Sequence, residues 1–113
     1  MSNTTPSSHR TDWFHDAAIG AFMHFLPDEH TCRLGQDFDV EALADQLEWM
    51  GANYFVFTLC QNSGWFNAPN ATYERIAGYQ PGERCSRRDL PLELYQALSS
   101  KGIRLLLYLP CQV

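Results

Sequence analysis

Positive charge is what this sequence has least of. Eight Lys and Arg stand against thirteen Asp and Glu, for a formal net charge of -5 over 113 residues. The only basic grouping is Arg84, Arg87 and Arg88. That is too small for a groove that tracks a phosphate backbone, so a nucleic-acid partner or an anionic membrane surface is excluded. Long apolar runs are also missing; none approaches the ~20 residues that span a bilayer. The opening MSNTTPSSHRTDW has no apolar core of a signal peptide, which predicts a cytoplasmic location. Residues 1–11 read as a disordered polar tail. Finally, no CxxC pair occurs among Cys32, Cys60, Cys85 and Cys111. A zinc ribbon or a thioredoxin-type site is thereby excluded, and without a secretory context the four read as free thiols rather than a disulfide framework.

What is present is enough apolar material, 45% of residues, for the core of one small domain. Asp12 to Asp16 reads as a short helical turn. Ala18 to Phe25 is an almost wholly apolar strand of the kind covered on both faces, and Pro27 blocks its continuation. A loop over Leu26 to Phe38 follows. Asp39 then caps a helix over Val40 to Met50, whose apolar face is Val40, Leu43, Leu47 and Met50 with Ala44 alongside. Gly51 closes it. Asn53 to Leu59 is the second strand. Cys60 to Arg88 has little periodicity and is too long for an ordinary connection; such loops are usually functional or disordered, and Trp65, Phe66, Tyr73 and Tyr79 argue for order. Asp89 caps a second helix, with Pro91 in its first turn and Leu90, Leu94, Ala97 and Leu98 on one face. Gly102 ends it. Ile103 to Leu109 is the third strand, stopped by Pro110.

The order β-α-β-α-β predicts an α/β fold with three parallel strands joined by crossovers. Its spacing matches the first units of a (β/α)8 TIM barrel, which needs roughly 250 residues. Three strands leave two open edges that must be covered. An oligomer, or a further part of a barrel, would supply that cover.

In parallel α/β folds, ligands bind past the C-terminal ends of the strands. Three polar groups are expected there: His24, then Gln61 and Asn62 just after the apolar run Tyr54-Phe55-Val56-Phe57, and Gln112 after the third strand. Imidazole and amide side chains both donate and accept, which suits vicinal hydroxyls. Each has a plainer reading. His24 could be a strand-end histidine with an internal partner, and Asn62 a turn former before Gly64. Ser63 reads as a turn residue, with no adjacent base to make it a nucleophile. Trp65 and Phe66 offer an apolar platform for a ligand or an anchor for the loop. Asn70-Ala71-Thr72 matches an N-glycosylation sequon. Cys60, Cys111 and His24 hint at a Cys2His metal site, but no fourth ligand is evident.

Three segments resemble α-L-fucosidases of glycoside hydrolase family 29. Trp13-Phe14-His15-Asp16-Ala17-Ala18-Ile19-Gly20-Ala21-Phe22-Met23-His24-Phe25 is similar to the W-F-x-D-A-x-x-G-x-F-x-H-W-G opening of that family. Gly51-Ala52-Asn53-Tyr54-Phe55-Val56-Phe57-Thr58 is similar to its G-A-K-Y-x-x-x-T strand, and Arg88-Asp89-Leu90 to the R-D-x-V that opens the next helix. The resemblance implies that residues 12–113 form a truncated part of a (β/α)8 glycoside hydrolase domain. It also implies a fucoside-like carbohydrate substrate and no metal or organic cofactor. His24, Gln61, Asn62 and Trp65 become the substrate-binding candidates.

The departures are as informative. Where the family has K-H-H-D-G-F after the Thr, the matching positions here read Cys60-Gln61-Asn62-Ser63-Gly64-Trp65, so both sugar-contacting histidines and the Asp are absent while the Gly and an aromatic remain. Phe25-Leu26 replace W-G, and Glu29 is only a loose positional counterpart of the Glu in the family's first loop. The family's nucleophilic Asp follows a fourth strand, and its acid/base comes later. Retaining hydrolysis needs two carboxylates ~5–5.5 Å apart, so no catalytic residue is assigned and the chain alone is expected to be inactive. Two other readings stand beside this one: a stand-alone carbohydrate-binding or interaction module, and a small α/β thiol or metal protein.

Overall fold

The computed structural model describes residues 10–28 and 35–110. Three strands, β1 (Gly20–Met23), β2 (Tyr54–Thr58) and β3 (Arg104–Tyr108), form one sheet in the order β1-β2-β3. Both pairings are parallel, with Phe22 opposite Val56 and Val56 opposite Leu106. The expected α/β architecture, β-α-β-α-β with a parallel sheet, is therefore the one observed.

Helices α1 (Asp12–Asp16), α2 (Val40–Trp49), α3 (Ala71–Ala77) and α4 (Leu90–Ser99) complete it, with a 3-10 turn over Gly35–Asp37. The two crossover helices start as the sequence predicts. Asp39 accepts from the Ala42 amide at 2.9 Å, and Asp89 from the Leu92 amide at 3.1 Å. Each aspartate satisfies one of the amides that a helix N-terminus leaves unpaired. Both helices lead into a glycine with positive φ, Gly51 at 77° and Gly102 at 72°, a conformation that costs a residue with a Cβ. Met50 departs from the expectation. It caps α2 rather than extending its apolar face, and it is exposed.

The core lies between α2, α4 and one face of the sheet. Val40, Ala44 and Leu47 of α2 and Leu90, Leu94, Ala97 and Leu98 of α4 pack with Ala52, Phe55, Phe57 and Ile103. Arg88 fastens the rim of this layer. Its guanidinium grips the Glu93 carboxylate through two nitrogens and donates to the backbone carbonyls of Gln36 at 3.1 Å and Phe38 at 2.8 Å.

The expectation that β1 is covered on both faces is not met among the described residues. Residues alternate in side along a strand. Ala21 and Met23 face the helices and pack on the core, whereas Phe22 is 50% exposed on the other side. An apolar run predicts two dry faces only if something covers both. β1 is also shorter than Ala18 to Phe25. The Ala18 and Ile19 amides go to Asn53 Oδ1 at 2.8 and 2.9 Å, and the Phe25 carbonyl is taken by side chains of Thr58 and Asn67. Helix α3 lies within the stretch that showed no periodicity. Asn70, the asparagine of the sequon, is its N-cap and accepts from the Tyr73 amide at 3.0 Å. Of the expected tail, residues 1–9 lie outside the described residues, as do Glu29, Cys32, Cys111 and Gln112. No helix among the described residues is long and apolar enough to cross a membrane.

Candidate functional site

Parallel pairing brings the C-terminal ends of all three strands to one edge of the sheet. The residues that continue β1 and β2 are tied together there by a dense set of hydrogen bonds. Thr58 Oγ1 donates to the Phe25 carbonyl at 2.7 Å. Asn67 Nδ2 donates to the same carbonyl at 2.8 Å and to the Thr58 carbonyl at 2.9 Å. Ser63 Oγ donates to the Pro27 carbonyl. The Leu59 amide reaches the Tyr108 carbonyl at 2.9 Å, which adds the end of β3. Asn67 is fully buried, and its amide orientation follows from these partners, since only an NH2 group can serve two carbonyls. Sequence reasoning gave Asn67 no role, because an Asn between Phe66 and Ala68 looks like any loop residue.

Beyond this edge, residues 59–86 fold over a small core of their own. Cys60, Phe66 and Cys85 are buried there, with Leu59 and Tyr73 against them. Phe66 bridges to both cysteines' backbones, its ring lies 4.6 Å from that of Tyr73, and the Tyr73 hydroxyl donates to the Gly64 carbonyl at 2.8 Å. Of the two aromatics first considered as a platform, Phe66 is thus an anchor. Cys60 and Cys85 are free thiols, and burial pushes both thiols up from their ordinary range. That is the opposite of what a reactive thiolate needs. No cluster of three or more His, Cys, Asp or Glu stands together among the described residues.

The candidate residues take up different positions around this edge. His24 follows β1 on the face opposite the helices. Its ring stacks on Phe22, with centroids 4.5 Å apart, and lies 5.9 Å from Tyr108. It is exposed, so the reading of a strand-end histidine held by an internal hydrogen bond gives way to an imidazole presented on an aromatic bed. The register puts His24, Thr58 and Tyr108 in one row, each one residue past the aligned Met23, Phe57 and Leu107, so Tyr108 lies two strands away and its ring reaches His24 across Thr58. Gln61 is half-buried, and its Oε1 is buried without a hydrogen-bond partner. Asn62 is exposed with φ 31°, the left-handed conformation that asparagine tolerates in turns. Trp65 is half-buried, with the Arg84 guanidinium 5.2 Å from its ring centroid. None of the described hydrogen bonds or ring contacts joins His24 to Gln61, Asn62 or Trp65.

Helix α1 packs on the opposite end of the open face. Trp13 and Phe14 of α1 lie 6.0 and 5.2 Å from the Tyr54 ring, and Arg104 sits 5.2 Å from Trp13. Gly20 makes this possible, since a Cβ there would overlap the Tyr54 ring. Helix α1 thus partly covers the face at the N-terminal end of the strands, where Phe14 stays exposed, and no helix among the described residues packs on the end that carries His24.

No protein-family profile and no curated protein matches this sequence. Among solved structures, the chain is similar to an α-L-fucosidase of family GH29 from Bacteroides thetaiotaomicron, with a TM-score of 0.65 and 18% sequence identity. The likeness covers 95% of this chain and 31% of that one. At this identity what the two share is the fold, and the shared part is less than a third of the fucosidase chain.

Proposed function

We propose that this chain is the N-terminal β-α-β-α-β part of an α-L-fucosidase-like retaining glycoside hydrolase, carrying part of a sugar-binding site but not the catalytic carboxylates. The observation that carries the reading is the fold likeness to the GH29 fucosidase over 95% of the chain. The two faces of the sheet support it. Helices cover one face and nothing among the described residues covers the His24 end of the other, as expected of a barrel wall whose inner face meets further strands. In this reading His24, Gln61, Asn62 and Trp65 orient a carbohydrate at the C-terminal edge. Gln61 Oε1, buried without a partner as Asn67 Oδ1 also is, would meet a sugar hydroxyl once its side chain turns outward, and His24 on its aromatic bed is an exposed group able to donate or accept.

The length of the gene product, followed by its strand count, tests the assignment. We expect a product well above 13 kDa with an Asp after a fourth strand; a stable 13 kDa product would refute it. In the complete protein, His24→Ala should weaken sugar binding while leaving the unfolding temperature nearly unchanged. Unaltered affinity would remove His24 from the site. The 113-residue chain by itself should show no α-L-fucoside hydrolysis.

A further inference from the structure

Arg84 is the one arginine of the basic grouping that is held rigid without being neutralised by a carboxylate among the described residues. Arg88 is paired with Glu93. Arg84 instead lies between two rings, 5.2 Å from the Trp65 centroid and 4.9 Å from that of Tyr79. No hydrogen bond or salt bridge involves its guanidinium among the described residues. Two carboxylates of the same loop have backbone partners of their own: Glu83 Oε1 accepts from the Gln80 amide and Glu74 Oε2 from the Gly82 amide. Its backbone is fixed to the candidate site, because the Arg84 carbonyl accepts from the Phe66 amide at 2.9 Å. Nη1 would sit 3.7 Å from a Cβ at Gly64, so the guanidinium lies beside the turn that carries Gln61, Asn62 and Trp65.

A guanidinium flanked by rings loses little further freedom on binding and keeps its in-plane N–H fork for a carboxylate, sulfate or phosphate. We infer that Arg84, clamped by Trp65 and Tyr79, is a specificity-determining residue for an acidic sugar, one bearing a sulfate ester or a carboxylate. The inference rests on the carbohydrate-binding reading above and narrows its substrate class. It also assigns Trp65 a different task from stacking under a sugar ring, that of fixing the cation.

The test is a titration of the isotopically labelled complete protein, following the Arg84 Nε–H and Trp65 indole N–H signals by NMR. The four probes are L-fucose, an L-fucose sulfate ester, D-glucuronate and inorganic sulfate. An acidic sugar should move both signals and bind roughly tenfold more tightly than L-fucose, the size expected of one charge-assisted contact. The two acidic sugars separate sulfate from carboxylate recognition. Arg84→Gln should abolish the preference for acidic over neutral sugar, and Arg84→Lys should restore only part of it, since a lysine keeps charge but not the fork. Equal binding of neutral and acidic sugars would overturn the inference and leave the carbohydrate reading intact. Arg84-dependent binding of inorganic sulfate with no sugar bound would overturn the substrate class and the carbohydrate reading together. A preference that survives in a folded Arg84→Gln chain would overturn the assignment to Arg84.

Discussion

The two faces of the three-stranded sheet both carry large apolar side chains, and they are covered to different extents. On the helix side Phe55 is 1% and Phe57 0% exposed, packed with Ala21, Met23 and Leu105 on α2 and α4. On the other side Phe22 is half exposed, and Val56 and Leu106 are partly so. Both faces carry apolar side chains, although Tyr54, Thr58, Arg104 and Tyr108 make the open one more polar; a partner helix layer is present on one face only. A strand pattern reports which faces are able to be buried, and the rest of the protein decides which ones are. The open face is also where the aromatic bed of His24 lies, so one of the candidate residues sits on the less covered side.

The sharpest test of this asymmetry is truncation on the covered side. Phe57→Ala should destabilise the chain by about 3–5 kcal/mol, the usual cost of emptying a fully packed aromatic site, read as a fall in the urea midpoint without a change in slope. A loss under about 1 kcal/mol would mean that the helix layer is not packed in solution. A smaller effect is expected where the strands meet the site. Asn67→Ala leaves the Thr58 carbonyl without its side-chain donor and the Phe25 carbonyl with one donor in place of two. Unmade buried hydrogen bonds of this type cost about 1–3 kcal/mol. Amide exchange should quicken first in the segment following β2. Uniform quickening across the sheet would make Asn67 a general stabiliser rather than a latch between two loops.

Much of the covered side was legible from residue order. Capping aspartates, the spacing of Leu90, Leu94, Ala97 and Leu98, and the glycines after both helices are local signals, and local signals fix α2, α4 and the parallel sheet. The excursion over residues 59–86 was not legible, because helix α3 is seven residues long and its stability comes from tertiary contacts rather than periodicity. The site was legible in part. Strand-end position alone pointed to His24, Gln61 and Asn62. Asn67, Tyr108 and Arg84 needed the register and the path of the loop, which bring together residues far apart in the chain. The exposure of Phe22 was misread for the reason already given: its neighbours along the chain do not say what lies across the sheet.

The next test falls on the open side. Phe22→Ala removes a ring whose contacts are His24, 4.5 Å away, and Tyr108, 5.8 Å away. About half its surface is already in water, so the loss should be about 1 kcal/mol, several-fold less than at Phe57. Equal costs at the two positions would break the comparison outright, since Phe22 would then be buried in solution by another copy or by further chain. Sedimentation of the two variants would distinguish these causes, because only the first lowers the molecular mass when the contact is lost.

The smallest effect returns to the covered side, where it depends on pH. Arg88 hydrogen-bonds the Glu93 carboxylate and holds it below the usual carboxylate range, an effect opposed by partial desolvation. A carboxyl whose folded pKa is depressed binds its proton more weakly in the folded chain than in the unfolded one. Its contribution is therefore present above the unfolded pKa and is lost as pH falls through the folded value. Both partners remain partly exposed, at 24% and 37% for the side chains, so solvent screening keeps that contribution at or below about 1 kcal/mol. Urea unfolding of the wild type and of Glu93→Gln at a series of pH values should give curves that differ at neutral pH and converge in acid. The variant should show the shallower loss. Parallel curves would remove Glu93 as the source and place the acid sensitivity elsewhere. Convergence would locate it at the rim of the helix layer, where Arg88 also holds the carbonyls of Gln36 and Phe38, and so on the face that the chain already covers for itself.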